Sequence, residues 1–292
     1  MLLSVKERFF NMSKSKLIKP LIYILLSTIV VLIAFRFSIL IGIATMVIGF
    51  LLLAFILRGD LLSIYAFQMY NKDHGKGFLW YERAMKTGKM RPQQTLVYAY
   101  LLIRDGVLDK SERLINKVLF IDRGKLSDEY VNASHLNLSI IKWKRGQLSE
   151  AIEELEEVYA SGFRTTVMYG TLGTYYLLNG QWAKALEFNK EAFEFNDTDH
   201  AIRDNLAQNY YLTGDIKAAD EIYDMLIDEE PTFIEPYYNY GKVLEHMGEY
   251  EAAMANYEKA LTMPEKFLST VTHAQVEDAI SSLSEKLNGE NQ

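Results

Sequence analysis

The chain has 292 residues, a net charge of −7 and no cysteine. Its length allows one long repeat array or two ordinary domains, and the lack of cysteine excludes disulfides, thiol nucleophiles and cysteine-ligated zinc. The charge is unevenly distributed along the chain. The first 57 residues contain one acidic side chain, Glu7, and six basic ones: Lys6, Arg8, Lys14, Lys16, Lys19 and Arg36. The remainder is therefore acidic, which argues against a nucleic-acid partner because phosphate binding needs a basic face.

A basic segment, residues 1–16, precedes an almost wholly apolar stretch, residues 17–57. A helix crosses the hydrocarbon core with about 20 residues, so this stretch is too long for one span. It predicts two transmembrane helices, 17–35 and 37–57, that turn at Arg36, since a charge at mid-membrane is costly. The alternative is one long span with an interfacial segment.

The basic side chains also predict the orientation of this hairpin. Lysine and arginine are enriched in cytoplasmic flanks, and Arg58, Lys72 and Lys76 follow the second span. We therefore expect a multi-pass protein of the cell membrane with both ends, and the domain after residue 57, in the cytoplasm. A single span would place that domain on the other side. Met12 is a second candidate start beside Met1, and the Lys- and Ile-rich anchor together with the lack of cysteine favours a bacterial source.

Small residues recur every 34 positions between residues 173 and 253, within the region 58–264, and this period is typical of stacked helix-turn-helix repeats. A small residue is needed where two antiparallel helices cross, and glycine ends the first helix in a left-handed turn at low cost. Three sets show the period: Gly173, Ala207 and Gly241; Gly180, Gly214 and Gly248; Ala185, Ala219 and Ala253.

Aromatic residues complete the pattern, such as Tyr210 in a first helix and Tyr223 in a second, with Pro231 closing the unit. The chain resembles the tetratricopeptide repeat family at these positions, although Asn189 replaces one second-helix aromatic. The resemblance weakens towards Tyr65 and implies about six repeats over 58–264. Residues 265–292 are expected to form a capping helix and tail. The predicted fold is all-α: a transmembrane helical hairpin, then an α-solenoid with a C-terminal cap.

The resemblance also implies a concave groove, lined by the first helices, that takes up an extended peptide or a partner helix. Peptide-holding members often carry asparagine two residues before the small crossing residue, where its amide can donate to and accept from a peptide backbone. The alternative is that these asparagines are ordinary polar residues on a helix face. The predicted groove residues are Asn137, Trp143, Thr171, Thr174, Leu177, Asn205, Gln208, Tyr211, Tyr238, Asn239 and Lys242.

Catalytic and metal sites are not predicted. The five histidines are scattered, and no pair is spaced three or four residues apart. Family members that capture a partner's terminal carboxylate use several lysines or arginines in the groove, and here only Lys242 and Lys144 stand at matching positions, so the resemblance does not support that mode. We therefore expect neither an enzyme nor a cofactor, but a membrane-tethered adaptor or scaffold for a protein or peptide partner. The alternative is a structural subunit of a membrane or cell-envelope complex, with contacts through the transmembrane hairpin.

Overall fold

The computed structural model describes residues 14–121, 124 and 126–290, and these residues form fifteen α-helices and no β-strand. The all-α class predicted from the repeats is confirmed. The chain divides into two compact units, Met1–Thr95 and Leu96–Gln292. Most of the predicted basic segment, including Met1 and Met12, lies outside the described residues.

The first unit begins with two apolar helices, α1 (Lys14–Phe37) and α2 (Ile39–Ile56). Ser38 alone separates them. Its backbone is extended, and its Oγ accepts a hydrogen bond at 3.2 Å from an amide in the first turn of α2, which caps that helix. The break between the helices therefore lies at Ser38, two residues beyond Arg36, because α1 continues through Phe37.

Among the described residues, α2 is the one helix long and apolar enough to cross a membrane. The described apolar part of α1, Leu25–Phe37, is shorter. Large side chains on α2 are exposed, for example Leu40 at 78% and Phe50 at 70%. Contact between such an apolar helix surface and water is unfavourable, so the helix is expected to be covered by lipid or by another protein. The two-span hairpin stays a prediction.

The first unit continues with α3 (Arg58–Tyr70) and α4 (His74–Lys86), which pack against each other. Their close approach depends on Gly77, since a Cβ there would lie 2.5 Å from the Cα of Tyr70. Tyr81 of α4 is fully buried. These helices cover the part of the chain that matches the repeat pattern least.

The second unit is built from helices that follow one another in pairs. The boundary between the units falls within the first turn of its first helix, α5, since that helix begins at Pro92 and the first unit ends at Thr95. The pairs are α5 (Pro92–Arg104) and α6 (Leu108–Ile121), α7 (Asp128–Lys144) and α8 (Leu148–Ala160), α9 (Thr166–Leu178) and α10 (Trp182–Phe195), α11 (His200–Thr213) and α12 (Ile216–Asp228), and α13 (Ile234–Met247) and α14 (Tyr250–Thr262).

A glycine with positive φ follows the first helix of every pair in this unit. The φ angles run from 70° to 89°, a region that other residues rarely adopt. Glycine therefore reverses the chain and starts the second helix within a few residues. The five positions are Gly106, Gly146, Gly180, Gly214 and Gly248.

Small residues allow the helices to pack closely within each pair. Ala219 and Ala253 are fully buried at the start of second helices. Gly241 of α13 faces the ring of Tyr257, and a Cβ at Gly241 would lie 2.4 Å from that ring. The first helices α9, α11 and α13 also pack side by side. They form one layer of the solenoid, called the first-helix layer below.

The last helix, α15 (His273–Glu290), packs on α14. Its Val276 and Leu283 are fully buried in the apolar cluster that contains Tyr257. The apolar face of the last repeat is thereby covered instead of being left to solvent.

Candidate binding groove

The predicted groove residues all lie on first helices, but not all of them lie at the surface. Asn137 and Trp143 are on α7, and the others extend along the first-helix layer from Thr171 on α9 as far as Lys242 on α13. Leu177 is 6% exposed and belongs to the core. Thr171 bonds within its own helix, where its hydroxyl donates to the carbonyl of Val167 at 2.7 Å. The accessible groove is therefore smaller than predicted.

The predicted asparagines Asn137, Asn205 and Asn239 are only 6%, 4% and 6% exposed. Asn205 bonds across the first-helix layer. Its Nδ2 donates to the carbonyl of Gly170 at 2.8 Å, and its Oδ1 accepts from the hydroxyl of Thr174 at 3.0 Å. These bonds join α11 to α9, so the amide holds neighbouring units together.

Asn239 is engaged in a similar way around a buried carboxyl group. Its Nδ2 donates to Oδ1 of Asp204 at 3.1 Å, and its Oδ1 accepts from Gln208 at 3.5 Å. The hydroxyl of Tyr223 donates to the same Asp204 oxygen at 3.0 Å. For Asn205 and Asn239, gripping a peptide would require these internal bonds to break. Their predicted peptide role stays a prediction.

Burial raises the pKa of Asp204 to about 7, and the charge of Glu235 acts in the same direction. The hydrogen bonds from Asn239 and Tyr223 oppose this shift, because both donors favour the charged carboxylate. The cost of burying the charge is the larger effect. Asp204 thus titrates close to neutral pH inside the solenoid.

An accessible cluster of aromatic and charged side chains lies farther along the layer. The Nζ of Lys242 is 5.6 Å from the ring centre of Tyr211 and 5.7 Å from that of Tyr238, within the range of a cation–π contact. A shallow pocket at this place is lined by Tyr211, Lys242, Glu245, His246 and Lys286 of α15. We call Tyr211, Tyr238 and Lys242 the tyrosine–lysine cluster.

The two tyrosines of this cluster keep their protons. Burial raises the pKa of both hydroxyl groups, and the negative charge of Glu245 raises them further. They therefore present neutral phenol groups that can donate hydrogen bonds, beside a lysine that can also donate. This combination suits the backbone carbonyls and acidic groups of a protein partner.

The other end of the groove contains a contact that the sequence did not predict. The Trp143 ring is 5.5 Å from that of Tyr175, and the Nζ of Lys144 lies 4.0 Å from the centre of the Trp143 ring. Lys144 also donates to the carbonyl of Ser269 at 3.3 Å. Burial lowers the pKa of Lys144, while the charge of Glu235 opposes this shift. No repeat spacing could reveal a contact between residues 125 positions apart.

Two segments of the chain, residues 204–232 and 234–267, match the tetratricopeptide repeat family. A curated relative, the TPR repeat-containing protein YvcD of Bacillus subtilis, is 33% identical over 150 residues. The match covers 51% of this chain but only 27% of the relative. The similarity therefore extends over a minor part of that protein.

Solved structures share the fold at low sequence identity. A tetratricopeptide repeat protein from Parabacteroides merdae has a TM-score of 0.60 at 13% identity, over 78% of this chain and 85% of its own. The APC/C hetero-tetramer Cut9-Hcn1 has a TM-score of 0.57 at 13% identity, over 79% of this chain and 40% of that chain. The two matched segments therefore carry tetratricopeptide repeats within an all-helical solenoid, and such repeats generally act as protein-interaction scaffolds.

Proposed function

We propose that this protein is a membrane-tethered scaffold whose groove binds an extended peptide or a helix of a partner protein. The tyrosine–lysine cluster carries this proposal. It combines two neutral tyrosines with a lysine on an accessible part of the first-helix layer. Tyrosine supplies apolar area and a hydroxyl donor at once, and for this reason it is enriched where proteins bind each other.

The membrane tether is part of the same proposal. The apolar and exposed surface of α2 suits lipid, and the basic residues that flank the apolar stretch favour the cytoplasmic side. We therefore place the protein in the cell membrane with two spans and with its repeats in the cytoplasm. Tethering raises the local concentration of the groove near other membrane proteins, so modest affinity is sufficient for recruitment.

Site-specific photo-crosslinking tests the groove. A photoreactive phenylalanine analogue replaces Tyr211 or Tyr238 in the full chain in native membranes. The matched control carries the analogue at Lys217, an exposed position of the second helix α12. We expect the same protein adduct from both tyrosine positions and none from Lys217. If the adduct forms from Lys217 and from neither tyrosine, the partner binds outside the groove.

A second candidate function is a structural subunit of a membrane complex. Gly42 is packed under the ring of Phe35, but Gly49 has no neighbouring atom within 4 Å of the place where a Cβ would stand. An open glycine on an apolar helix permits close approach of another helix. Exchanging residues 17–57 for an unrelated hairpin discriminates the two functions. Loss of complex assembly favours the subunit, whereas full function with the foreign hairpin favours the tethered scaffold.

A further inference from the structure

A ten-residue segment connects α14 to α15 and reaches back to the beginning of the second unit. We call residues 263–272 the strap. The ring of Phe267 lies on the backbone at Gly106, where a Cβ would meet two ring carbons at 3.2 Å. Lys144 lies 5.2 Å from the centre of the same ring and donates to the carbonyl of Ser269. The strap thus contacts Lys144, whose Nζ also lies 4.0 Å from the centre of the Trp143 ring at one end of the predicted groove.

The strap is ordered by its own hydrogen bonds. The amide of Ser269 donates to the carbonyl of Lys266 at 2.9 Å, and the amide of Lys266 donates to Oγ of Ser269 at 3.2 Å. This tight turn presents Phe267 at its tip. Beyond the turn, the amide of Thr270 donates to Glu235 at 2.7 Å, which fixes the strap to the start of α13. The aromatic ring is therefore held in place over Lys144.

A connection that only reversed the chain would not need this arrangement. The link between α12 and α13 takes five residues, 229–233, which is near the usual length of a helix–helix connection. The strap takes ten, and it leaves Phe267 40% exposed although the ring contacts another part of the solenoid. A half-exposed ring and a long lysine side chain form a contact that another molecule can replace.

We propose that the strap is an internal ligand that occupies the groove until a partner displaces it, an inference that rests on the binding function proposed above. The displacing partner presents an aromatic side chain for the Gly106 surface and, two residues later, a backbone carbonyl for Lys144. Phe267 and Ser269 supply these two groups while the strap is in place. Because the strap is tethered, its effective concentration is roughly millimolar, so a weak contact suffices to keep the site occupied.

A peptide-binding measurement on the full chain in detergent micelles tests this inference. The probe is a labelled synthetic peptide with the sequence of the strap, residues 263–272, and its binding is followed by fluorescence anisotropy. In the Phe267→Ala variant the aromatic site is vacated, and we expect the peptide to bind about tenfold more tightly than to the wild-type chain. The control variant, Phe120→Ala, removes a ring that is 95% exposed on α6 and should bind like the wild type.

Two further arms show whether the proposed contacts are responsible. A peptide with alanine in place of its phenylalanine should not bind Phe267→Ala, and the added change Lys144→Met should weaken the original peptide at least about threefold. If Phe267→Ala melts cooperatively like the wild type and yet binds the peptide no better, the inference is overturned. Equal binding of the alanine peptide overturns it as well.

Crosslinking separates this inference from the proposed function. With the photoreactive analogue at Tyr211, the partner adduct should increase severalfold in Phe267→Ala. An equal yield in both chains overturns the internal-ligand role and leaves groove binding intact. If Phe267→Ala binds the phenylalanine peptide but no Tyr211 adduct forms in either chain, the internal ligand is supported and the tyrosine–lysine cluster is not the partner site.

Discussion

At the scale of single residues, the packing of the solenoid depends on side-chain volume at a few crossing points. Gly241 faces the buried ring of Tyr257, and Gly173 faces the amide of Asn189. Asn189 occupies a second-helix position at which the repeat pattern usually has an aromatic residue. Its side chain is only 1% exposed, and its Nδ2 donates a hydrogen bond to Oδ1 of Asn209 at 3.1 Å. The sequence shows that Asn189 departs from the repeat pattern. Only the structure shows that a buried amide bond takes the place of the ring.

Gly241→Ala tests the crossing of α13 and α14. The new Cβ would lie 2.4 Å from the Tyr257 ring, which is fully buried, so the ring or one of the two helices must shift. We expect a loss of about 1–3 kcal/mol in unfolding free energy, measured by denaturant titration. The control is Gly170→Ala in α9, where the Cβ would meet Ala201 at an ordinary 3.8 Å. Gly170→Ala should leave the unfolding free energy unchanged or raise it by up to about 1 kcal/mol. Equal destabilisation by Gly241→Ala and Gly170→Ala would show that the contact with Tyr257 is not the cause.

At the scale of helices, buried polar groups join neighbouring elements. Asp204 of α11 accepts hydrogen bonds from Tyr223 of α12 and from Asn239 of α13, so one carboxyl group connects three helices. The sequence placed Asn205 and Asn239 on first helices, as the structure does. It could not show that their amides face another helix instead of a bound peptide, because this depends on how adjacent repeats are rotated.

Asp204 should make the stability of the solenoid depend on pH. Its pKa is raised to about 7 in the folded chain from an ordinary value of 3.8, so the folded state keeps a proton that the unfolded state loses. Stability should therefore fall as the pH rises from about 4 to about 7. In Asp204→Asn the side-chain oxygen can still accept both hydrogen bonds, and this fall should be reduced. At pH 8 the variant should be more stable by on the order of 2 kcal/mol.

Thermal melting at several pH values measures this effect. The matched control is Asp220→Asn, which alters a half-buried carboxylate that accepts a hydrogen bond from Tyr240 at 3.1 Å. This variant should retain the pH dependence of the wild-type chain. If Asp204→Asn and wild type melt in parallel between pH 5 and pH 8, Asp204 is not the group responsible.

At the scale of the whole chain, an apolar and basic beginning is followed by acidic helical repeats. Because the chain has no cysteine, single cysteines can be introduced to determine its topology. Ser38, between α1 and α2, should face the outside of the cell if both helices cross the membrane. Ser282 on α15 is exposed and should face the cytoplasm.

A membrane-impermeant maleimide distinguishes the two topologies. In intact cells we expect labelling of Ser38→Cys but not of Ser282→Cys, and labelling of both after permeabilisation. The cysteine-free parent chain is the control for background. Labelling of Ser282→Cys in intact cells would show that only one helix crosses and that the repeats lie outside.

The sequence by itself determined that the chain is all-helical and contains tetratricopeptide repeats. These properties follow from local spacing, because small residues and turn glycines must recur wherever helices cross and reverse. The tertiary structure decided which polar groups are buried and what occupies the groove. The bond from Asn205 to Gly170 spans 35 residues, and that from Lys144 to Ser269 spans 125. Such contacts depend on how the repeats stack in space, which no pattern within one repeat contains.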